Sequence, residues 1–168
     1  GYTYTFTDHV LTKGQLVTNS TGIRYMWAGT WATQEWLDLD GKIAYARSNG
    51  YFAVGFQYRY SPEGDWTYYA FDDDGWLMTE INGIYERDGK AYLIHEGIIT
   101  EYPGLFEQDG AYYYISSNNI LIKNRQYWIS KTNGYVPEGS YWFDADGKMT
   151  LPNQPEQPDP EQPTDPTD

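Results

Sequence analysis

Gly83-Ile84-Tyr85-Glu86-Arg87-Asp88-Gly89-Lys90-Ala91-Tyr92-Leu93-Ile94 is followed, 21 positions on, by Gly104-Leu105-Phe106-Glu107-Gln108-Asp109-Gly110-Ala111-Tyr112-Tyr113-Tyr114-Ile115. Both glycines, the Glu, the Asp, one Tyr and the final Ile keep their places. Self-similarity at a short fixed period is the mark of a repeat architecture, in which each unit buries its apolar face only by stacking on a neighbour. Within each copy an apolar-aromatic stretch runs to Asp-Gly and then returns. Asp-Gly supplies the two positive-φ residues of a tight hairpin turn. The unit is therefore a β-hairpin, and the rest of the chain can be searched for further copies.

They are found on both sides. Residues 1–14 alternate Tyr2, Tyr4 and Phe6 against Thr3, Thr5 and Thr7, with Asp8-His9 at the turn, and 18–29 looks like a less regular copy. Trp36 to Gly50 reads as two short strands bracketed by Asp40-Gly41 and Asn49-Gly50. Tyr51 to Tyr60 reads as one strand, with Phe52, Val54, Phe56, Tyr58 and Tyr60 on one face, broken by Ser61-Pro62-Glu63-Gly64. A strand from Trp66 ends at Phe71-Asp72-Asp73-Asp74-Gly75, after which Trp76-Leu77-Met78 returns. In the last unit, Val136-Pro137-Glu138-Gly139 and Phe143-Asp144-Ala145-Asp146-Gly147 echo these two turns.

Composition agrees with an all-β reading. Aromatics make up 18% of the residues, including 18 Tyr and 7 Trp, and stretches of the strong helix formers are missing. The expected fold is a solenoid of stacked β-hairpin repeats of about 20 residues, with little or no helix, over residues 1–150 and comprising about five to seven hairpins. From residue 151 the composition changes. Six of the nine prolines fall between Pro152 and Pro166 among Gln, Asp, Glu and Thr, so 151–168 is expected to be a disordered or extended, acidic, Pro-rich linker to a neighbouring module. Because the chain begins within a repeat, it is expected to be an excised part of a larger protein.

Charge and cysteine content narrow the function. A net charge of −13 argues against nucleic acid and against an anionic membrane surface, and no apolar run approaches the length of a membrane span. Without cysteine there is neither a disulfide framework nor a thiolate metal site. His9 and His95 are the only histidines, with no nucleophile or carboxylate at a recognisable spacing, so no catalytic residue and no cofactor is expected. The recurring acid-x-Asp-Gly (Asp38, Asp72, Glu86, Glu107 and Asp144 as the acid) lacks the distant bidentate Glu of a calcium loop, and reads as turn chemistry before it reads as a cation site.

The aromatics divide in two. Tyr4 and Phe6, Tyr69 and Phe71, Tyr92 and Ile94, Tyr113 and Ile115, Tyr141 and Phe143 are i, i+2 pairs just before a turn, and form a ladder suited to a stacked core. Left over are Trp36, Trp66, Trp76, Trp128 and Trp142, with Tyr68, Tyr112 and Tyr114, on the other strand face or at turns. Flat rings in shallow grooves suit sugars or quaternary ammonium groups. Trp36, Trp66, Trp76, Trp128, Trp142 and Tyr68 are the candidate ligand-stacking residues. The duplicated pair is poor in Trp, so any site is expected in the irregular flanks.

Trp36-x-x-x-Asp40-Gly41-Lys42-x-x-Tyr45-x-x-x-x-Gly50-x-x-x-x-Gly55 and Tyr68-Tyr69-x-Phe71-Asp72-x-x-Gly75-x-x-Met78-Thr79 resemble the cell-wall-binding repeats of Gram-positive surface proteins, the choline-binding and glucan-binding type. The resemblance covers most of 1–149. It implies a hairpin solenoid, an extracellular, cell-surface location as part of a larger secreted protein, and a polysaccharide partner, either wall glycan or external glucan. Where the choline-binding members place a cage Trp, this chain has Ile43, Tyr68, Ala91, Tyr112 and Ser140. The resemblance therefore implies a divergent branch, of the kind found on secreted glycoside hydrolases and adhesins. Two functions stand at this point: a non-catalytic carbohydrate-binding module, or a structural spacer or protein-binding surface module whose partner is a host or surface protein.

Overall fold

A computed structural model describes the backbone of residues 5–7 and 10–151 and the side chains from Gly14 to Leu151. Every regular element among the described residues is a β-strand, and each pairing is antiparallel. Tyr2, Tyr4, His9, the side chain of Phe6 and the Pro-rich stretch 152–168 lie outside that description.

The chain divides into two compact units, 1–102 and 103–168. In the first, β1 (Thr5–Thr7) pairs with β2 (Val10–Lys13), and β3 (Gln15–Asn19), β4 (Gly22–Trp27) and β5 (Thr30–Trp31) form a meander. Next, β6 (Glu35–Leu39) pairs with β7 (Lys42–Ala46), and β8 (Gly55–Tyr60) with β9 (Trp66–Phe71). The strands β10 (Asn82–Arg87), β11 (Lys90–His95) and β12 (Ile98–Thr100) then join β8 and β9 in one sheet of order β10-β11-β12-β9-β8. In the second unit, β13 (Gly104–Gln108) pairs with β14 (Ala111–Ile115), and β15 (Arg125–Ile129) with β16 (Gly139–Phe143). The all-β class built of short hairpins is as the sequence indicates.

Two kinds of turn make these hairpins, and the sequence motif acid-x-Asp-Gly conceals the difference. Asp40-Gly41, Asp88-Gly89 and Asp109-Gly110 are two-residue hairpin loops with both residues at positive φ, as a type I′ turn requires. The acid before them closes the loop: Asp38 Oδ1 accepts from Gly41 N at 2.9 Å and Glu107 Oε1 from Gly110 N at 2.8 Å.

Asp72-x-Asp74-Gly75 and Asp144-x-Asp146-Gly147 do something else. They are five-residue turns that leave a finished hairpin. Asp72 N donates to Trp76 O and Gly75 N to Asp72 O, and the same pair of bonds recurs at 47–51, 116–120 and 144–148. The fourth residue is at positive φ in every case: Gly50, Gly75, Asn119, Gly147. Asp72 Oδ1 accepts from Asp74 N and Trp76 N, and Asp144 Oδ1 from Asp146 N and Lys148 N, so these carboxylates serve as local caps.

The exit turn returns the chain for a bridge to the end of the strand just left: Ala46 with Phe52, Phe71 with Leu77, Ile115 with Leu121, Phe143 with Met149. Here successive amides part company. Leu77 N donates back to Ile43 O in the preceding hairpin at 2.7 Å, whereas Met78 N donates to Ala70 O in its own hairpin at 3.0 Å. Phe52 and Ala53 repeat this on Ile23 and Tyr45, and Met149 and Thr150 on Tyr112 and Trp142. At these three places successive hairpins are thus fastened by backbone, and side chains fill in around the bond. Where the strand residue is small, Ala46, its bridge partner is the large Phe52; where it is Phe71 or Phe143, the partner is Leu77 or Met149.

The second member of each described ladder pair is buried: Phe71 and Ile94 at 0% exposure, Ile115 at 1% and Phe143 at 0%. Tyr69 and Phe71 pack with Ala53, Trp36, Tyr45 and Leu77 on one face of β8/β9. Ala70 packs with Ile94, Ile99, Phe56 and Tyr68 on the other. The second unit has its own core of Leu105, Tyr114, Ile122, Ile129, Phe143 and Met149.

Three expectations are corrected. The run Tyr51–Tyr60 is not one strand: Tyr51 and Phe52 belong to the exit turn and its bridge, and the strand begins at Gly55, whose φ of 69° breaks the alternation. The echo between the two Pro-Glu-Gly sequences fails. Ser61–Asp65 is a five-residue hairpin loop with Gly64 at φ 99°, but Gly139 lies inside β16 opposite Ile129. The two matching copies also differ in setting. After β11 the chain makes a tight turn at Glu96-Gly97 into β12, but after β14 it makes an exit turn at 116–120.

Gly75 tests the exit turn. A Cβ there would sit 2.6 Å from Phe52 Cβ on a positive-φ backbone, whereas at Gly41 it would meet nothing. Gly75→Ala is expected to destabilise the chain by about 3 kcal/mol, from backbone strain plus overpacking, and Gly41→Ala by about 1 kcal/mol from strain alone. Urea denaturation of the two variants checks the ordering.

Candidate aromatic binding faces

Cross-strand register gathers aromatics on the hairpin β8/β9. Phe56 lies opposite Ala70, Tyr58 opposite Tyr68 and Tyr60 opposite Trp66, all on one face because strand side chains alternate. The five-residue loop Ser61–Asp65 sets that register. Tyr58 is stacked on Tyr68, with centroids 4.5 Å apart and planes within 14°, and on Trp66 at 5.7 Å and 11°. Tyr60 tilts against Trp66 at 4.8 Å. The burial gradient along this face is steep: Ala70 is fully buried, whereas Tyr60 and Trp66 are 64% and 60% exposed.

Tyr58 thus lies nearly parallel to two rings of β9 and is half-buried among them. The exposed π surface belongs to Trp66 and Tyr60. The Tyr58 hydroxyl donates to the Glu101 carboxylate, which holds the phenol up at about 12. The Tyr68 phenol is raised by burial, with Tyr92 and Glu101 adding to it.

The hairpin β15/β16 presents a second aromatic face. Gln126 is opposite Trp142 and Trp128 is opposite Ser140, so these four side chains share one face. Trp128 is 63% exposed and Trp142 49%. They are diagonal neighbours, a relation that separates residues by about 7–8 Å. Among the described residues no ring packs on either indole, and the polar ends of Gln126 and Ser140 have no partner. The opposite face carries Tyr127, Tyr141, Ile129 and Phe143, which make the core of this unit.

The other expected stacking residues are engaged differently. Trp36 packs against Tyr45 at 5.3 Å, Tyr69 at 4.7 Å and Phe71 at 5.9 Å, and its indole N–H donates to Tyr60 O at 2.8 Å. Trp76 meets Phe52 edge-on at 5.4 Å and has the Lys42 ammonium 5.2 Å from its ring centre. Elsewhere the chain's own Arg24 guanidinium lies between Trp31, at 3.9 Å, and Tyr51, at 4.7 Å. The structure therefore brings Trp66 and Tyr68 together on one face and Trp128 and Trp142 together on another, and uses Trp36 and Trp76 in packing. Sequence reasoning passed over Tyr58, Tyr60, Glu101, Gln126 and Ser140 as site residues. Loop length was the available signal, because the Ser61-Pro62-Glu63-Gly64 turn fixes which aromatics face one another. Among the described residues no group of three or more His, Asp or Glu could hold a metal ion.

No protein-family model and no curated protein matches the chain. Among solved structures it is similar to alternansucrase in complex with isomaltononaose, at 16% identity and a TM-score of 0.46, over 88% of this chain and 12% of that one. It is similar to choline-binding protein F of Streptococcus pneumoniae, at 19% identity and a TM-score of 0.36, over 84% and 48% of the two chains. A third similarity is to the pneumococcal cell wall endolysin of phage Cp-1 complexed with choline, at 19% identity and a TM-score of 0.48, over 87% and 40%. The chain spans less than half the length of each.

The Tyr58–Glu101 pair gives a pH prediction. A phenol whose folded value stands above the ordinary 10.0 holds its proton more tightly when folded, so its contribution to stability is intact below about pH 10 and is lost as pH rises from there towards 12. Glu101→Gln removes the largest cause. In that variant the late phase of the phenolate absorbance titration is expected to move down towards 10.

Proposed function

We propose that this chain is a non-catalytic carbohydrate-binding module that holds a larger secreted protein on polysaccharide at or outside the cell surface. The observation that carries this reading is the pair of uncovered indoles, Trp128 and Trp142, on one face of β15/β16. Ring faces turned to water are costly to maintain unless something packs on them, and a pyranose offers the matching apolar C–H surface. The Trp66–Tyr60 corner of β8/β9 supplies a second, smaller surface of the same kind. Two weak sites on one chain raise the retained fraction on a polymer through effective concentration, which suits anchoring rather than tight capture of a single sugar. The acidic charge, −13 overall, fits an uncharged polymer better than an anionic one.

The file Tyr68–Tyr58–Trp66 and the packed Trp36 favour a second reading for the first unit, namely structural spacing, since those rings are largely committed to one another. The readings part in affinity electrophoresis through gels containing α-glucan, β-glucan or wall polysaccharide. The wild-type chain is expected to be retained on at least one of them, and Trp128→Ala or Trp142→Ala to weaken that retention about tenfold or more, as loss of a central aromatic anchor does. Migration of the wild type unretarded through all three would leave the spacer as the function.

A further inference from the structure

The two hairpins β8/β9 and β15/β16 can be superposed by register, and the comparison says what the second one's outer face is built to receive. Gly55 pairs with Phe71 as Arg125 pairs with Phe143, and both Phe residues are fully buried on the inner face. On the outer face, Phe56, Tyr58, Tyr68 and Ala70 of the first then correspond to Gln126, Trp128, Ser140 and Trp142 of the second. In β8/β9 that face is covered by protein: Phe56, Tyr68 and Ala70 pack with Ile94, Ile99 and Tyr92. The residues met by the covering strands are therefore apolar or aromatic.

In β15/β16 two of those places hold an amide and a hydroxyl. Covering Gln126 and Ser140 with an apolar hairpin would strip both of water and give them nothing to bond. A face made simply to meet solvent explains Gln126 and Ser140 but not Trp128 and Trp142 at 63% and 49% exposure. The alternation of ring, amide, ring and hydroxyl has a different complement: a surface that is apolar on its broad side and carries hydroxyl groups around its rim. None of the four side chains is charged, so the complement has no charge to be matched.

We infer that the Gln126–Trp128–Ser140–Trp142 face binds an uncharged glycan chain laid along the diagonal between the two indoles, with Gln126 and Ser140 as the residues that orient it through its hydroxyls. This rests on the reading of the module as carbohydrate-binding and deepens it. The indoles supply most of the affinity, since every pyranose offers a C–H face. The amide and the hydroxyl select among sugars, because they require hydroxyl groups at fixed places around the ring.

The test uses the 168-residue chain and the variants Gln126→Ala, Ser140→Ala, the double variant, and Trp128→Ala, each checked by circular dichroism and thermal melting for an intact fold. Retention is measured in gels carrying dextran, a soluble β-glucan or, as the anionic control, polygalacturonate. The expected result is retention of the wild type on one of the neutral polymers, weakened about tenfold or more in Trp128→Ala and roughly 3- to 10-fold by each polar variant. On polygalacturonate no retention is expected. Retention that needs Trp128 but is unchanged in the double variant would overturn the role of Gln126 and Ser140 and leave the carbohydrate-binding reading standing. Stronger retention on polygalacturonate would overturn the uncharged ligand. Trp128-dependent self-association in sedimentation velocity, without retention on any polymer, would show that protein covers this face and would overturn both.

Discussion

Everything in this structure depends on two adjacent amides that point in opposite directions. At 52–53, 77–78 and 149–150 one N–H reaches back to the preceding hairpin and the next returns to the hairpin just left. An isolated hairpin is marginal in water. These bonds join one hairpin to the one before it at three fixed places, and once joined, the apolar faces can be closed by residues as different as Ala46 with Phe52 and Phe143 with Met149. Because the backbone provides the fastening, the side chains have latitude. That latitude explains how one plan can be carried by units of such unequal sequence.

The five-residue exit turn makes the amide pair possible. It needs one residue in the left-handed region, four places after the strand ends, and the chain provides Gly50, Gly75, Gly147 and, in one instance, Asn119, the residue type that tolerates this conformation best after glycine. At Gly75 the requirement is doubled, because the backbone also passes too close to Phe52 for any side chain. The Asp residues at 72 and 144 then reinforce the turn by accepting two amides each, and Ser116 takes that place in the third instance with a single bond to Ile120 N.

How much of this could be read from residues alone follows from which interactions are local. The Asp40-Gly41, Asp88-Gly89 and Asp109-Gly110 hairpin turns were legible because a two-residue loop imposes its own φ values on its own residues. The exit turns at 72–76 and 144–148 share the same Asp-Gly dipeptide but are defined by what happens six residues later, and a sequence pattern does not register that. Tyr51–Tyr60 looked continuous because alternation of aromatics persists through Gly55, although the backbone there turns aside. The aromatic faces were half legible. Trp66 and Tyr68 follow from strand parity, but their stacking on Tyr58 depends on the Ser61–Asp65 loop length. Trp128 and Trp142 come together across the irregular connection 130–138, held by Asn133, whose amide donates to both Pro103 O and Leu105 O at 2.7 Å. That clasp has no signature in sequence.

The amide tie that follows the exit turns at 47–51, 72–76 and 144–148 has a mechanical side. Where one hairpin is fastened to the one before it by a backbone bond, as at Phe52, Leu77 and Met149, a pull on the chain passes from one hairpin to the next. Only β8 to β12, joined in one five-stranded sheet, would meet that pull together. Failure under load would accordingly proceed by steps, one hairpin peeling away with the core it shares with its neighbour, and a unit of about 20 residues would yield roughly 70 Å of slack each time. In the proposed role on a polysaccharide, the sacrifice of one hairpin would lengthen the leash before the remaining contacts are strained.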